Sequence, residues 1–325
     1  WEGKRTVEQT FVALPGGVRP YLGQRVVELD AGGQRVTTDA GDNHTYDRLL
    51  LATGGAPRRL PFGGDAVNYY RTLDDYCALR ADAEQGARFV VIGGGFIGSE
   101  VAASLRKRGS DVTMVFPEAA ITDRLFPAAL AAYVNEFYRD HGVVVRPGES
   151  VTGIEAGADG ATVVLGSGER LAADRVVAGI GIIPDVELAR AAGLGVDNGV
   201  LVDERLQTAR PEIFAAGDVA NYPDAIFGLR RRVEHADAAR AMGRAAGRNM
   251  AGAGEAYRYL PMFYSDLFDL GYEAVGLCDS RMEVVEDWEE PFRRGVLYYL
   301  KDSRVRGVLL MDVWDRVEEA RALIE

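Results

Sequence analysis

The sequence predicts an α/β protein with a dinucleotide-binding strand–helix–strand unit at its centre and an α+β region at its C-terminus, and three observations predict it. Phe89-Val90-Val91-Ile92 is an apolar, β-branched run too short for a helix, which reads as a strand buried on both faces. It breaks on Gly93-Gly94-Gly95-Phe96-Ile97-Gly98, after which Val101, Ala102 and Leu105 recur at helical spacing between Ser99 and Arg108. A second strand, Asp111 to Phe116, then ends in Pro117-Glu118. In that setting the glycine pattern has a physical meaning. The first glycine permits the tight turn, the second lets the backbone approach a pyrophosphate, and the third lets helix and strand pack closely. Free N–H groups at the helix start face the phosphates. An acidic side chain at Glu118 accepts hydrogen bonds from a ribose 2′-OH and repels a 2′-phosphate, so the unit points to NAD(H) over NADP(H). Read without a ligand, Glu118 is a surface carboxylate.

The remaining segments fall on either side of this unit. Residues 1–57 read as short strands, Thr6 to Ala13, Gln24 to Leu29, Arg35 to Thr38 and Arg48 to Ala52, separated by turn residues. The last ends in Ala52-Thr53-Gly54-Gly55-Ala56-Pro57, small residues that let the chain pass close beneath a ligand or another backbone. A helix from Leu73 to about Gln85 follows, with Leu73, Tyr76 and Leu79 on one face. After the central unit come a helix from Pro127 to Asp140, a buried strand Val143 to Arg146, and a meander between Val151 and Leu171. The strand Arg175 to Ala178 ends in Gly179-Ile180-Gly181, a second glycine exit like that at Gly54, and the pair suggests two crossings between neighbouring domains. Ile213-Phe214-Ala215-Ala216-Gly217-Asp218 puts an aspartate at a strand's carboxyl end, where ligands bind in open α/β sheets. Asp218 is either a contact to a polyol chain such as a flavin ribityl or a turn cap. A helix rich in Ala and Gly, Glu234 to Met250, precedes hairpin-like strands at Glu273 to Leu277, Met282 to Glu286, Gly295 to Lys301 and Val305 to Asp312. The chain closes on an amphipathic helix from Trp314 to Ile324.

Composition narrows the chemistry. A chain of 325 residues that is 47% hydrophobic is long enough for two or three domains. Its net charge of −12 argues against nucleic acid or an anionic membrane surface as a main partner. No apolar run approaches the roughly 20 residues of a spanning helix, so a soluble, cytoplasmic protein is expected. Cys77 and Cys278 form no C-x-x-C, and His44, His141 and His235 have no partner at ligand spacing, so neither a redox disulfide of thioredoxin type nor a metal site is expected. Any electron carrier is then a bound organic cofactor.

Ala52-Thr53-Gly54, the central glycine turn, the exit at Gly179 to Gly181 and Ala216-Gly217-Asp218 stand in an order that resembles the FAD-dependent pyridine-nucleotide oxidoreductases of glutathione-reductase fold. Within them, Gly93 to Glu100, Phe116-Pro117-Glu118, Arg231-Arg232-Val233-Glu234-His235, Gly247-Arg248-Asn249-Met250, Met262-Phe263-Tyr264-Ser265-Asp266 and Gly271 to Leu277 are similar to the apoptosis-inducing factor family. The resemblance implies two Rossmann-like domains and a C-terminal α+β domain. The FAD-binding domain takes residues 1–57 and 182–256, the NAD-binding domain residues 58–181, and the C-terminal domain residues 257–325. It implies NAD contacts at Gly94, Gly95, Phe96, Ile97, Glu118, Arg124 and Gly181, and around the nicotinamide at Glu234, His235, Tyr264 and Glu273. FAD contacts follow at the Val26 backbone, Arg71, Asp218, His235 and Ala236. Tyr264 stands where the family has a tryptophan, keeping an aromatic face of another size. Ala236 replaces a histidine, so only a backbone contact survives there. Asp315 falls near a family NAD contact that is an asparagine. The family's first G-x-G-x-x-G, for the FAD pyrophosphate, is not found, so the chain is expected to start inside the first domain.

Three functions compete. The first is an NADH oxidoreductase that passes electrons from FAD to a quinone, oxygen or an iron–sulfur protein, with no side chain as nucleophile. The second is a redox-sensing interaction protein that forms a homodimer according to redox state, its partner surface carried by Tyr298-Tyr299 and Trp314. The third is a ferredoxin-type reductase. Two side chains stay open from sequence alone. Phe96 is either a core plug or an aromatic gate, and His235 is either an ordinary helix histidine or a cofactor contact. Arg230-Arg231-Arg232 is either a solvated run or a steering patch for an anionic dinucleotide.

Overall fold

A computed structural model describes residue 1 and residues 6–325; residues 2–5 of the expected first domain lie outside the described residues. The architecture is mixed α/β. Its centre is a five-stranded parallel sheet in the order Val67–Asn68, Arg175–Ala178, Phe89–Ile92, Val112–Phe116, Val144–Pro147. Helix α1 (Leu73–Glu84) starts on a capping box in which Thr72 and Asp75 satisfy each other's amides. Helix α2 (Phe96–Lys107) follows the glycine turn, and α3 (Ala128–Asp140) starts after Pro127. Alternation along Phe89–Ile92 explains why the run is apolar throughout. Phe89 and Val91 join the core under α2 and α3, whereas Val90 and Ile92 join a second core beneath the meander Val151–Ala156, Ala161–Leu165, Arg170–Ala173.

A third core gathers the meander Val26–Asp30, Arg35–Thr38, Asn43–Thr45, the parallel pair Leu49–Leu51 and Ile213–Ala215, the short helix α4 (Glu187–Ala191), and α5 (Ala236–Met250). The two glycine exits of the sequence meet here: Gly55–Pro57 pairs antiparallel with Ile182–Pro184. The C-terminal part is an antiparallel sheet in the order Met262–Leu267, Leu270–Gly276, Arg304–Met311, Arg294–Lys301, Glu283–Glu290. Helix α6 (Val317–Ile324) packs on one face through Ala320 and Ile324. The other face, with Tyr272, Leu297, Tyr299 and Leu309, merges into the core of α2 and α3.

Several sequence expectations are corrected. Thr6 to Ala13 forms no strand but a short 3-10 turn at Glu8–Thr10, because its alternation meets no partner strand to complete a ladder; Val12 is 87% exposed. The strand expected to be buried at Val143 to Arg146 is the sheet edge, with Val144 54% exposed. Of Leu73, Tyr76 and Leu79 on one α1 face, Leu79 is buried and Leu73 exposed, and the last helix starts at Val317 rather than Trp314. Tyr299, expected at a partner surface, is fully buried. Among the described residues no helix is long and apolar enough to cross a membrane.

Candidate functional site

The strand Phe89–Ile92 turns into α2 through backbone so crowded that side chains are barred. A Cβ on Gly98 would lie 2.0 Å from the Gly93 carbonyl oxygen, and one on Gly93 (φ +109°) 2.4 Å from that of Gly179. The space above Gly95 is open, with nothing within 4 Å of a Cβ there. Gly95 gives α2 no side-chain cap, so the first-turn amides at Phe96 and Ile97 are left for a ligand. That cradle fits a pyrophosphate. Gly94 rests on the Phe116 ring, and Gly181 is exposed two residues beyond Gly179, which itself touches Gly98.

Glu118 and Arg124 are exposed on the loop that follows Val112–Phe116. The loop backbone is fixed at several points. Ile121 N–H donates to Asn135 Oδ1 (3.0 Å) and Thr122 N–H to the Gly94 carbonyl (2.8 Å), while Gly148 N–H donates to the Glu118 carbonyl (2.9 Å).

Beside the start of α2 opens a cavity of about 970 Å³, lined in part by Phe96, Glu100, Glu234, His235, Ala236 and Tyr264. Phe96 is exposed rather than a core plug, and it meets Phe263 edge-on at 4.9 Å. His235 also stacks on Phe263, at 4.4 Å and 21°. Burial, with help from the Arg231 charge and against that of Asp237, lowers the His235 imidazole to about 4, so it is neutral near neutral pH. Glu234 pairs with Arg232 (2.7 Å), whose guanidinium also donates to the Asp218 carbonyl (3.1 Å). Tyr264, 66% exposed, stands opposite Glu273 across two strands. Burial raises the Glu273 carboxyl, with Asp315 adding to the shift, and its Oε2 is buried without a hydrogen-bond partner.

Phe263 and Glu100 join the site without a role predicted from sequence. Phe263 is central to the aromatic group because alternation on Met262–Leu267 turns it inward while Tyr264 turns out. Glu100 accepts from Ser265 Oγ (2.6 Å), and burial raises its carboxyl against that bond. The signal for Glu100 was a carboxylate one turn into a helix at a glycine cradle.

On the flavin side, Gly217–Val219 abuts α5, where a Cβ on Gly217 would lie 3.5 Å from Ala239. Asp218 is thereby brought to the start of α5, whose N-cap is His235 and first residue Ala236; this helix start, too, has no side-chain cap. Arg71 reaches to within 3.4 Å of where a Cβ on Gly54 would be, and Thr53 Oγ1 donates to the Asp185 carbonyl (2.6 Å). Val26 sits in the meander sheet, whose strands are not hydrogen-bonded to the Leu49–Leu51 pair. An uncapped helix start with Asp218 beside it, and Arg71 at the Gly54 exit, offer hydrogen-bonding groups that suit the hydroxyls of a flavin cofactor; the chain holds no second G-x-G-x-x-G.

The family described as pyridine nucleotide-disulphide oxidoreductase matches residues 4–243, and the family described as apoptosis-inducing factor, mitochondrion-associated, C-term, matches residues 246–289. Apoptosis-inducing factor 1, mitochondrial, of Dictyostelium discoideum is 35% identical over 326 residues, which take in 93% of this chain and 61% of that protein. The ferredoxin–NAD(+) reductase component of the anthranilate 1,2-dioxygenase system of Burkholderia cepacia is 41% identical over 269 residues, 81% of this chain and 66% of that protein. Among solved structures, the covalent putidaredoxin reductase–putidaredoxin complex superposes with a TM-score of 0.88 at 34% identity, covering 93% of this chain and 75% of that one. The chain thus spans 61% and 66% of the length of those two curated relatives.

Proposed function

Because the chain belongs to the pyridine nucleotide-disulphide oxidoreductase family, we propose that it is an FAD-dependent NADH oxidoreductase that passes electrons to an acceptor of ferredoxin type. The observation that carries this reading is the junction of an open glycine cradle at Gly93–Gly98 with an aromatic cavity holding Phe96, His235 and Tyr264. The bound flavin supplies the capacity to take up hydride; the chain binds, orients and shields. Amides from Gly94 to Ile97 hold the NADH pyrophosphate, Glu118 holds the ribose hydroxyls, and Arg124 and Gly181 flank the nucleotide. Tyr264, Glu273, Glu234 and His235 bound the nicotinamide end, while Arg71, Asp218, Ala236 and the Val26 backbone serve FAD. Neutral His235, stacked flat on Phe263, adds no charge to the ring pocket.

Cys77 is exposed on α1 and Cys278 lies half-buried beside the C-terminal sheet, so no cysteine pair stands ready for disulphide reduction. The ferredoxin–NAD(+) reductase relative and the putidaredoxin complex favour a small iron–sulfur protein over quinone or oxygen. The redox-sensing alternative, with a homodimer, keeps exposed Trp314 but loses Tyr299 from its surface. The test is to purify the protein, record a flavin spectrum, add NADH without oxygen, and then supply a ferredoxin-type acceptor. Bleaching followed by rapid reoxidation is the expected result; no flavin, or flavin indifferent to NADH, overturns the proposal, and bleaching without turnover favours sensing.

A further inference from the structure

The loop carrying Glu118 and Arg124 is fastened from an unexpected direction. Tyr299, in the strand Arg294–Lys301 of the C-terminal sheet, is fully buried, and its hydroxyl donates to the Leu125 carbonyl at 2.7 Å across 174 positions of sequence. Next to it, the Ser280 N–H donates to the Arg124 carbonyl at 2.9 Å. Leu125 and Phe126 are buried in the same core, Phe126 edge-on to Tyr272 at 5.2 Å. At its other end the loop holds the glycine turn through Thr122 N–H and the Gly94 carbonyl, with Thr122 at φ +52°, a conformation a β-branched residue keeps only under constraint.

We infer that Tyr299 is a positioning residue for dinucleotide recognition: its buried hydroxyl, with the Ser280 amide, fixes the loop that presents Glu118 and Arg124 to the adenosine end of NADH. This rests on the nucleotide reading above and adds to it a role for the C-terminal sheet. Tyr299 touches no nucleotide; it acts through the Leu125 backbone. A phenylalanine there keeps the packing but leaves a buried carbonyl without its donor, which favours loop conformations that turn that oxygen elsewhere. The loss falls on NADH binding rather than on the hydride step, because the aromatic cavity at Phe96 and Phe263 is built from other segments.

The experiment measures NADH dissociation constants by equilibrium titration for the wild type, Tyr299→Phe, Ser280→Pro and Val308→Ala, with thermal unfolding and kcat at saturating NADH alongside. Ser280 is the second residue of a turn closed by Met282 N–H on the Asp279 carbonyl, a place that accepts proline, so Ser280→Pro keeps the turn, removes the donor to Arg124 and sets its ring Cδ against that carbonyl, displacing the loop. Val308 is buried on the opposite face of the sheet and reports general destabilisation. Tyr299→Phe should raise the NADH dissociation constant about 3- to 10-fold, the scale of one lost hydrogen bond, and Ser280→Pro by at least as much; both should narrow the preference for NADH over NADPH and leave kcat within about twofold. Val308→Ala should lower the melting temperature without moving the dissociation constant. Unchanged binding in both loop variants, or equal weakening in Val308→Ala, overturns the inference while leaving the nucleotide site intact. A wild type that binds no NADH removes the nucleotide reading itself, and the inference with it.

Discussion

The glycine cradle and the aromatic cavity lie side by side yet are made in opposite ways. The cradle at Gly93–Gly98 comes from one continuous segment and recognises through backbone, so its chemistry depends on the absence of side chains. The cavity takes Phe96, His235 and Phe263 from three distant segments and recognises through ring faces and burial. The first leaves no room for a side chain at Gly93 or Gly98 and is local; the second exists only once the chain is folded. In the proposed function, binding of the nucleotide belongs mainly to the cradle, and the fit between rings belongs to the cavity.

Gly98→Ala attacks the cradle where it is tightest, since its methyl would fall 2.0 Å from the Gly93 carbonyl oxygen. Thermal unfolding should show a loss of at least about 3 kcal/mol, and NADH titration should show no saturable binding. Phe263→Leu attacks the cavity instead. Flavin bleaching by NADH should slow about tenfold, equivalent to about 1.4 kcal/mol, while the NADH dissociation constant stays within about threefold; a large loss of binding would mean that the two regions are not separable. Glu118→Ala sharpens the cradle side alone, and kcat/KM for NADPH should gain about tenfold relative to NADH.

The smallest effect is a pH dependence confined to the cavity. His235 is buried neutral, with its folded value lowered to about 4 from the ordinary 6.5. The unfolded chain therefore binds a proton below about pH 6.5 that the folded chain refuses until about pH 4. Stability from this group is complete above 6.5 and is lost as pH falls from there toward 4. Melting temperatures measured over that range should fall less steeply for His235→Gln than for the wild type; parallel curves would place the imidazole in solvent.

How much could be read before folding follows the same division. Phe89–Ile92, the glycine turn, and the α2 stripe of Val101, Ala102 and Leu105 were legible because period and turn chemistry are local properties. Thr6 to Ala13 misled because alternation promises a strand only where a partner completes the ladder. Val144 shows the reverse case, a β-branched run at an open sheet edge. Phe263 and Tyr299 were illegible as site residues for one reason: which face of a strand meets the nucleotide unit depends on the C-terminal sheet docking against α2 and α3. Tyr299 is an aromatic beside Tyr298, and sequence gives the two no distinction of inside from outside.

The central claim is that NADH lies along the amides of Gly94 to Ile97 with its adenosine ribose on Glu118. Parallel calorimetric titrations of the wild-type protein with NADH and with NADPH test it most directly. The account predicts one saturable NADH site, bound at least about tenfold tighter than NADPH; no saturation, or equal affinity for the two, would contradict it.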